Sequence, residues 1–284
     1  MRNIEGTFKG AGGLKLYYQS WHPQERSRAV VAIVHGLGAH SGLFLPAVEY
    51  LVSLGYAVYA LDLRGHGRSP GQRGHINRWA EFREDLSAFL QQIWTQENCP
   101  CFVWGHSLGG AIVLDYALRS PQGLQGAIVT APALGKVGVS RLKLAIGRVF
   151  SRVYPRLSLK VGINHNASSR NPSIISAYSQ DPLRHEYGSA RLATEFFAAV
   201  DWIENHASDL QIPLLLLHGS ADRVTRPESS WLFCERVTYP DKKCYEYPGS
   251  YHDLYADTNY QEVLVDIGNW LEQHLQKIDD SQAA

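Results

Sequence analysis

Five short runs in this 284-residue chain are apolar at nearly every position. They are Ala29–Gly36 (AVVAIVHG), Tyr56–Leu63 (YAVYALDL), Cys101–Ser107 (CFVWGHS), Gly126–Pro132 (GAIVTAP) and Pro213–Ser220 (PLLLLHGS). A strand with one wet face alternates apolar and polar residues. A strand that is apolar throughout suits a parallel sheet covered on both faces. Helix-patterned segments separate the runs, at roughly 44–54, 79–95 and 108–119. This alternation predicts βαβ crossovers and a mostly parallel, doubly wound α/β sheet. GTFKGAGGLKLYYQSW reads as a leading antiparallel hairpin, KKCYEYPG as a late strand and NYQEVLVDIGNWLEQHL as an amphipathic closing helix.

One interval breaks this rhythm. About eighty residues separate the strand ending near Pro132 from the one starting near Pro213, too many for a structureless connection in a compact domain. Within it, SRLKLAIGRVFSRVYP puts Leu142, Ile146, Val149 and Val153 on one helical face, and LATEFFAAVDWIENHA has a second helical pattern. The reading is a helical cap, residues 134–208, inserted into a core formed by 1–133 and 209–284. The apolar face of its first helix is expected to pack against that core.

Hydrophobic residues make up 45% and charged residues 19%, the balance of an ordered globular protein. Lys+Arg and Asp+Glu stand at 27 each, so no global field draws the chain to nucleic acid. The first residues carry no apolar signal-peptide core, and no apolar run approaches the ~18 residues of a membrane span. A cytoplasmic protein is expected. Cys99, Cys101, Cys234 and Cys244 match neither a CxxC pair nor a zinc-ligand spacing, and reduced, packed thiols are expected.

Gly105-His106-Ser107-Leu108-Gly109 fits G-x-S-x-G with a strand before it and a helix after it. That context puts a serine on a strained turn with its oxygen above the sheet edge, and glycines let neighbouring backbone pass close by. A serine hydroxyl needs a base, and the base needs an orienting carboxylate. In the chain order Ser–acid–His, Asp222 closes LLLLHGSAD and His252 closes CYEYPGSYH, each just past a strand. Other candidates fit less well. Asp201 and Asp209 lie in or beside the cap, and Asp253 and Asp257 come after the histidine. His218 is still inside a strand, and His274 sits in the last helix, where a solvated side chain is the default. Oxyanion donors are expected from the backbone N–H groups of Leu108 and, in the loop His35-Gly36-Leu37-Gly38, of Leu37. DLRGHGRSPGQRGHI lacks a P-loop lysine and metal-ligand spacings, and reads as a structured loop in which Arg64 and His66 make structural hydrogen bonds. Twelve histidines form no ligand-spaced cluster, so neither a metal nor a cofactor is expected.

In order, HGLGAHSGLF, DLRGHGRSPGQRGHI, GHSLGG, SRNPSIISAYSQDPL, LLLLHGSADRV and YPGSYHDLY resemble the monoacylglycerol lipase and lysophospholipase group of the serine α/β hydrolases. The resemblance covers most of the chain, part of the cap included. It implies the α/β-hydrolase fold, with nucleophile, acid and base at Ser107, Asp222 and His252, and oxyanion donors at Leu37 and Leu108. After the base, many relatives carry a different short pattern from the His252-Asp253-Leu254 found here. The implied activity is hydrolysis of a lipid ester with one long acyl chain on a small alcohol such as glycerol. The implied cap supplies an acyl tunnel and a surface that rests on membranes or micelles. Lysophospholipase, acyl thioesterase and S33-type peptidase use the same triad and stay open as alternatives, and a non-catalytic binding protein on this fold is a remoter one.

Overall fold

The computed structural model describes residues 1–135, 141–162 and 165–283. The strands β1 (Arg2–Lys9) and β2 (Lys15–His22) form the leading antiparallel hairpin, with Gly12 and Gly13 at positive φ in its turn. The repeating part follows: β3 (Val30–Val34), α1 (Leu45–Ser53), β4 (Ala57–Leu61), α2 (Ala80–Gln96), β5 (Cys101–His106), α3 (Leu108–Arg119) and β6 (Leu124–Thr130). An inserted segment contributes α4 (Arg141–Val153), β7 (Ser158–Lys160), α5 (Pro172–Gln180), β8 (Tyr187–Ser189) and α6 (Ala190–Asn205). The chain then returns as β9 (Leu214–Gly219), α7 (Pro227–Arg236), β10 (Lys242–Tyr247) and α8 (Tyr260–Ala283).

Eight strands form one sheet in the order β1-β2-β4-β3-β5-β6-β9-β10. The pairs β1/β2 and β2/β4 are antiparallel and the other five are parallel. This is the α/β-hydrolase architecture. The unbroken apolar runs have the expected cause. Val30, Ala32 and Val34 of β3 pack on the face covered by α2, α3 and α6, while Val31 and Ile33 pack on the face covered by α1 and α8.

Three expectations need correction. Val149 and Val153 of α4 are each 61% exposed, so this part of the apolar face does not pack on the core. Instead α4 turns Ser151 inward, and its hydroxyl lies 2.8 Å from that of Thr194 on α6. A small polar residue lets the two helices approach, which leaves the valine stripe facing outward. The side chains of Leu142 and Ile146 lie outside the described residues. His274 is buried rather than solvated. It packs on Trp270, bonds that residue's carbonyl at 2.7 Å and meets Asp241 at 3.2 Å. Cys234 of α7 and Cys244 of β10 form a disulfide. Their spacing alone matches no motif, and only the packing of α7 beside β10 brings them together. Cys99 and Cys101 are free.

The disulfide closes a short loop between the end of α7 and the start of β10, at the pole opposite the turns that follow β9 and β10. Replacing Cys234 and Cys244 by serine is expected to lower unfolding free energy by about 2–3 kcal/mol. Denaturant titration of the variant beside the oxidised protein checks this.

Candidate active site

The strand β5 ends at His106 and α3 begins at Leu108, leaving Ser107 alone to reverse the chain. It does so at φ 55° and ψ −119°, in a region a side-chain-bearing residue rarely adopts. Such a conformation costs on the order of 1–3 kcal/mol and persists only where the surroundings enforce it. Here they do. Ser107 N–H donates to Thr130 O at 3.0 Å, and Ser107 O accepts from Ala111 N at 3.2 Å and from Ala133 N at 2.9 Å. The flanking glycines are a steric requirement. A Cβ on Gly105 would overlap the carbonyl oxygen of Gly109, and one on Gly109 would overlap that of Val34. Gly36, before Leu37, is similarly tight, since a Cβ there would lie 3.0 Å from Ser107 Cβ.

Asp222 follows β9 and His252 follows β10, and both are buried. His252 Nδ1 donates to Asp222 Oδ2 at 2.7 Å. That carboxylate is saturated with donors. Its Oδ1 accepts from Val224 N (2.7 Å) and Thr225 N (3.0 Å), and its Oδ2 also meets Thr225 Oγ1 (2.8 Å) and His218 Nε2 (3.0 Å). Burial alone would push the Asp222 carboxyl up. The His252 and His218 rings outweigh it and hold Asp222 well below the usual carboxylate range. Burial likewise opposes protonation of His252, but the Asp222 charge and hydrogen bond win and raise its pKa. His218 stands near the end of β9. Its ring reaches Asp222 across the turn that follows the strand.

A cavity of about 450 Å³ opens above this edge of the sheet. Ser107, His252, Leu37 and Leu108 line its floor, and Leu192, Phe196 and Phe197 of α6 line its wall. Among the described residues neither Leu37 N–H nor Leu108 N–H has a backbone acceptor, and no hydrogen bond joins Ser107 to His252. Such catalytic bonds commonly tighten only with substrate bound. Four of the five sequence-predicted site residues thus line one cavity, and the fifth, Asp222, lies behind His252 and is bonded to it.

The structure also brings in two residues to which sequence reasoning assigns no role. His106 Nε2 lies 3.0 Å from Asp253 Oδ1, and the His106 and His252 rings are 4.8 Å apart. Their signal was adjacency: one titratable residue directly before the nucleophile and another directly after the histidine. One nitrogen from each of His106 and His252 and a carboxylate oxygen of Asp253 lie within 4.8 Å of one another, as metal ligands could. Both His106 nitrogens already have protein partners, Thr130 and Asp253, and His252 Nδ1 has Asp222, so the donor chemistry is that of a hydrogen-bond network.

The glycine-rich loop after β4 has a structural role. Arg64 grips Asp85 through two bonds of 2.6 and 2.7 Å, His66 Nδ1 bonds Arg64 O at 2.9 Å, and Asp62 accepts from Ser41 N and Arg68 N. Asp257, also after the base, receives Arg170 Nε at 2.9 Å and Tyr251 N at 2.8 Å, tying the inserted segment to the His252 loop.

A serine on an enforced left-handed turn, a carboxylate–imidazole pair at the same sheet edge and a roofed cavity define a serine hydrolase of the α/β-hydrolase fold. The chain belongs to the serine aminopeptidase, S33 family, whose model matches residues 25–259. It is 33% identical over 275 residues to a monoacylglycerol lipase of Mycolicibacterium smegmatis, covering 95% of this chain and 98% of that one. It is 31% identical over 274 residues to human monoglyceride lipase, covering 93% and 88%. The crystal structure of Paleococcus ferrophilus monoacylglycerol lipase superposes with a TM-score of 0.84 at 34% identity, over 91% of this chain and 99% of that one.

Asp222→Asn removes the charge that raises the His252 pKa. Its imidazole is expected to protonate at lower pH than in the wild type, where it protonates above the roughly 6.5 of a free imidazole. NMR titration of the ring protons measures the direction.

Proposed function

We propose that this protein is a serine carboxylester hydrolase acting on lipid esters with a single acyl chain, monoacylglycerols in the first place. The observation that carries the reading is the placement of Ser107 and His252 on the floor of a cavity walled by Leu192, Phe196 and Phe197. An apolar wall over a nucleophile suits an acyl chain, since each buried methylene contributes about 0.8 kcal/mol. The names of the relatives support the same substrate class.

His252 takes the proton from Ser107 as its oxygen attacks the acyl carbonyl. The N–H groups of Leu37 and Leu108 hold the oxyanion. His252 then protonates the departing alcohol, and in the second half it activates water against the acyl-enzyme. Asp222 fixes the imidazole tautomer and stabilises its positive form. Among the described residues, Arg184 and Arg223 on the cavity wall favour a phosphate-bearing, lysophospholipid substrate. Kinetics with monoacylglycerols and lysophospholipids of matched chain length separate the two.

Residues 134–208 act as the cap in this reading, between core segments 1–133 and 209–284. No helix among the described residues is long and apolar enough to cross a membrane. The outer surface of the cap instead offers Val149, Val153, Tyr154 and Leu159, exposed by 61–65%, with Arg152, Arg156 and Lys160 among them. An apolar, basic surface of this kind rests on lipid interfaces, transiently and from the cytoplasmic side. In that compartment the Cys234–Cys244 pair would meet a reducing thiol pool.

Ser107→Ala is expected to lower kcat for a monoacylglycerol by on the order of 10⁴–10⁶ and to abolish labelling by a fluorophosphonate. Near-normal turnover in that variant would remove the serine from the mechanism. Val149→Ser/Val153→Ser is expected to weaken sedimentation with anionic phospholipid vesicles while leaving hydrolysis of a dispersed short-chain ester unchanged. Equal sedimentation of the variant and the wild type would rule out this face as the contact.

A further inference from the structure

Asp253 and His106 are buried titratable groups beside the nucleophile to which the reaction sequence above gives no part. Both line the cavity. His106 is held on each side. Trp104 Nε1–H donates to Thr130 Oγ1 at 3.0 Å, and Thr130 Oγ1 lies 3.1 Å from His106 Nδ1. With the Thr130 hydroxyl donating to Nδ1, the ring proton sits on Nε2 and is given to Asp253 Oδ1 at 3.0 Å. Tyr255 closes edge-on over His106 at 5.0 Å, and Phe44 stacks on Tyr255 at 4.2 Å. The backbone N–H of Asp253 donates to Ser168 O at 2.7 Å, which fixes its carboxylate from the side of the inserted segment.

We propose that Asp253, held by His106, is a positioning residue for His252: a second carboxylate beside the base that stabilises its positive form when the base takes the serine proton. The inference rests on the reading of His252 as the base. Its geometric basis is the meeting of the three groups within 4.8 Å and the 4.8 Å approach of the two imidazoles. The charge states agree with the hydrogen-bond pattern. Burial keeps the His106 pKa low and its ring neutral. Burial would raise the Asp253 carboxyl, but the His106 hydrogen bond, with the His252 and Arg184 charges, holds it below the ordinary range. The pair therefore presents a net negative charge to His252 at neutral pH.

The other groups facing this position come from several elements. Asp222 and Thr225 belong to the turn after β9, and Thr225 Oγ1 lies 3.2 Å from His252 Nδ1. Arg184 of the inserted segment and Arg223 line the same cavity, and Arg184 is the positive charge that acts on Asp253. Asp222 holds Nδ1 and sets the tautomer. Among the described residues no hydrogen bond joins Asp253 to the His252 ring, so its effect is on the charge and not on the tautomer.

The test is the pH dependence of kcat and kcat/KM for Asp253→Asn in the full chain, on a short-chain monoacylglycerol. Asparagine keeps an Oδ1 that accepts from His106 and loses only the charge. The acid limb of kcat/KM is expected to move down by about 1 pH unit. The plateau kcat is expected to fall about tenfold with KM unchanged, since one pKa unit is a tenfold change. His106→Gln is expected to move the limb in the same direction by a smaller amount, and it decides the matter alone if Asp253→Asn does not fold. A limb that stays in place, or a loss confined to KM, overturns the proposal. Fluorophosphonate labelling keeps this outcome apart from failure of the triad. An unlabelled wild type would sink the triad reading, whereas a labelled wild type with an unmoved limb in the variants sinks only the role of Asp253.

Discussion

Everything at the site depends on one peptide reversal. Between β5 and α3 the chain has a single residue in which to turn, and Ser107 accepts a left-handed backbone to do it. That strain is tolerable because the turn is held by Thr130 O on one side and by Ala111 N and Ala133 N on the other. It is sterically tolerable only because Gly105 and Gly109 bring no Cβ into the crossing backbones. The result is a serine lifted out of the sheet, beside the loop that carries Leu37 and beneath the inserted segment.

The second organising principle is electrostatic. Buried carboxylates are stable only when hydrogen-bonded or paired, and those around this site meet that demand in different ways. Asp222 gathers backbone amides, a hydroxyl and two imidazoles. Asp257 takes Arg170 and a backbone amide and serves as a brace. Asp253 has His106. The donors surrounding each carboxylate separate their roles. A carboxylate sharing an imidazole that faces a nucleophile can act on a reaction, and one locked to an arginine between two loops can hold a structure.

Much of this was legible in the sequence. The unbroken apolar runs required a sheet buried on both faces, and the eighty-residue gap required an inserted folded segment. The position of Ser107, Asp222 and His252 each just after a strand put them at one sheet edge. Other features could not be read. Val149 and Val153 have the periodicity of a packed helix face, but Ser151 is the side that meets α6, and periodicity cannot tell a core from an open surface. His274 looked like a surface residue until α8 docked and turned it against Asp241. Cys234 and Cys244 match no motif because their approach depends on how α7 lies on the edge strand.

The sequence by itself determined the class of fold, the turn that exposes a serine and the order of its partners, because these follow from local sterics and from the periodicity of burial. Only the tertiary structure decided which titratable neighbours join the site. His106 and Asp253 lie directly beside predicted residues in the chain and His218 four residues before one, and closeness in sequence does not say where a side chain points. Their part depends on distances of about 3 Å across different strands and loops, and those exist only once the sheet, its edge turns and the inserted segment have packed.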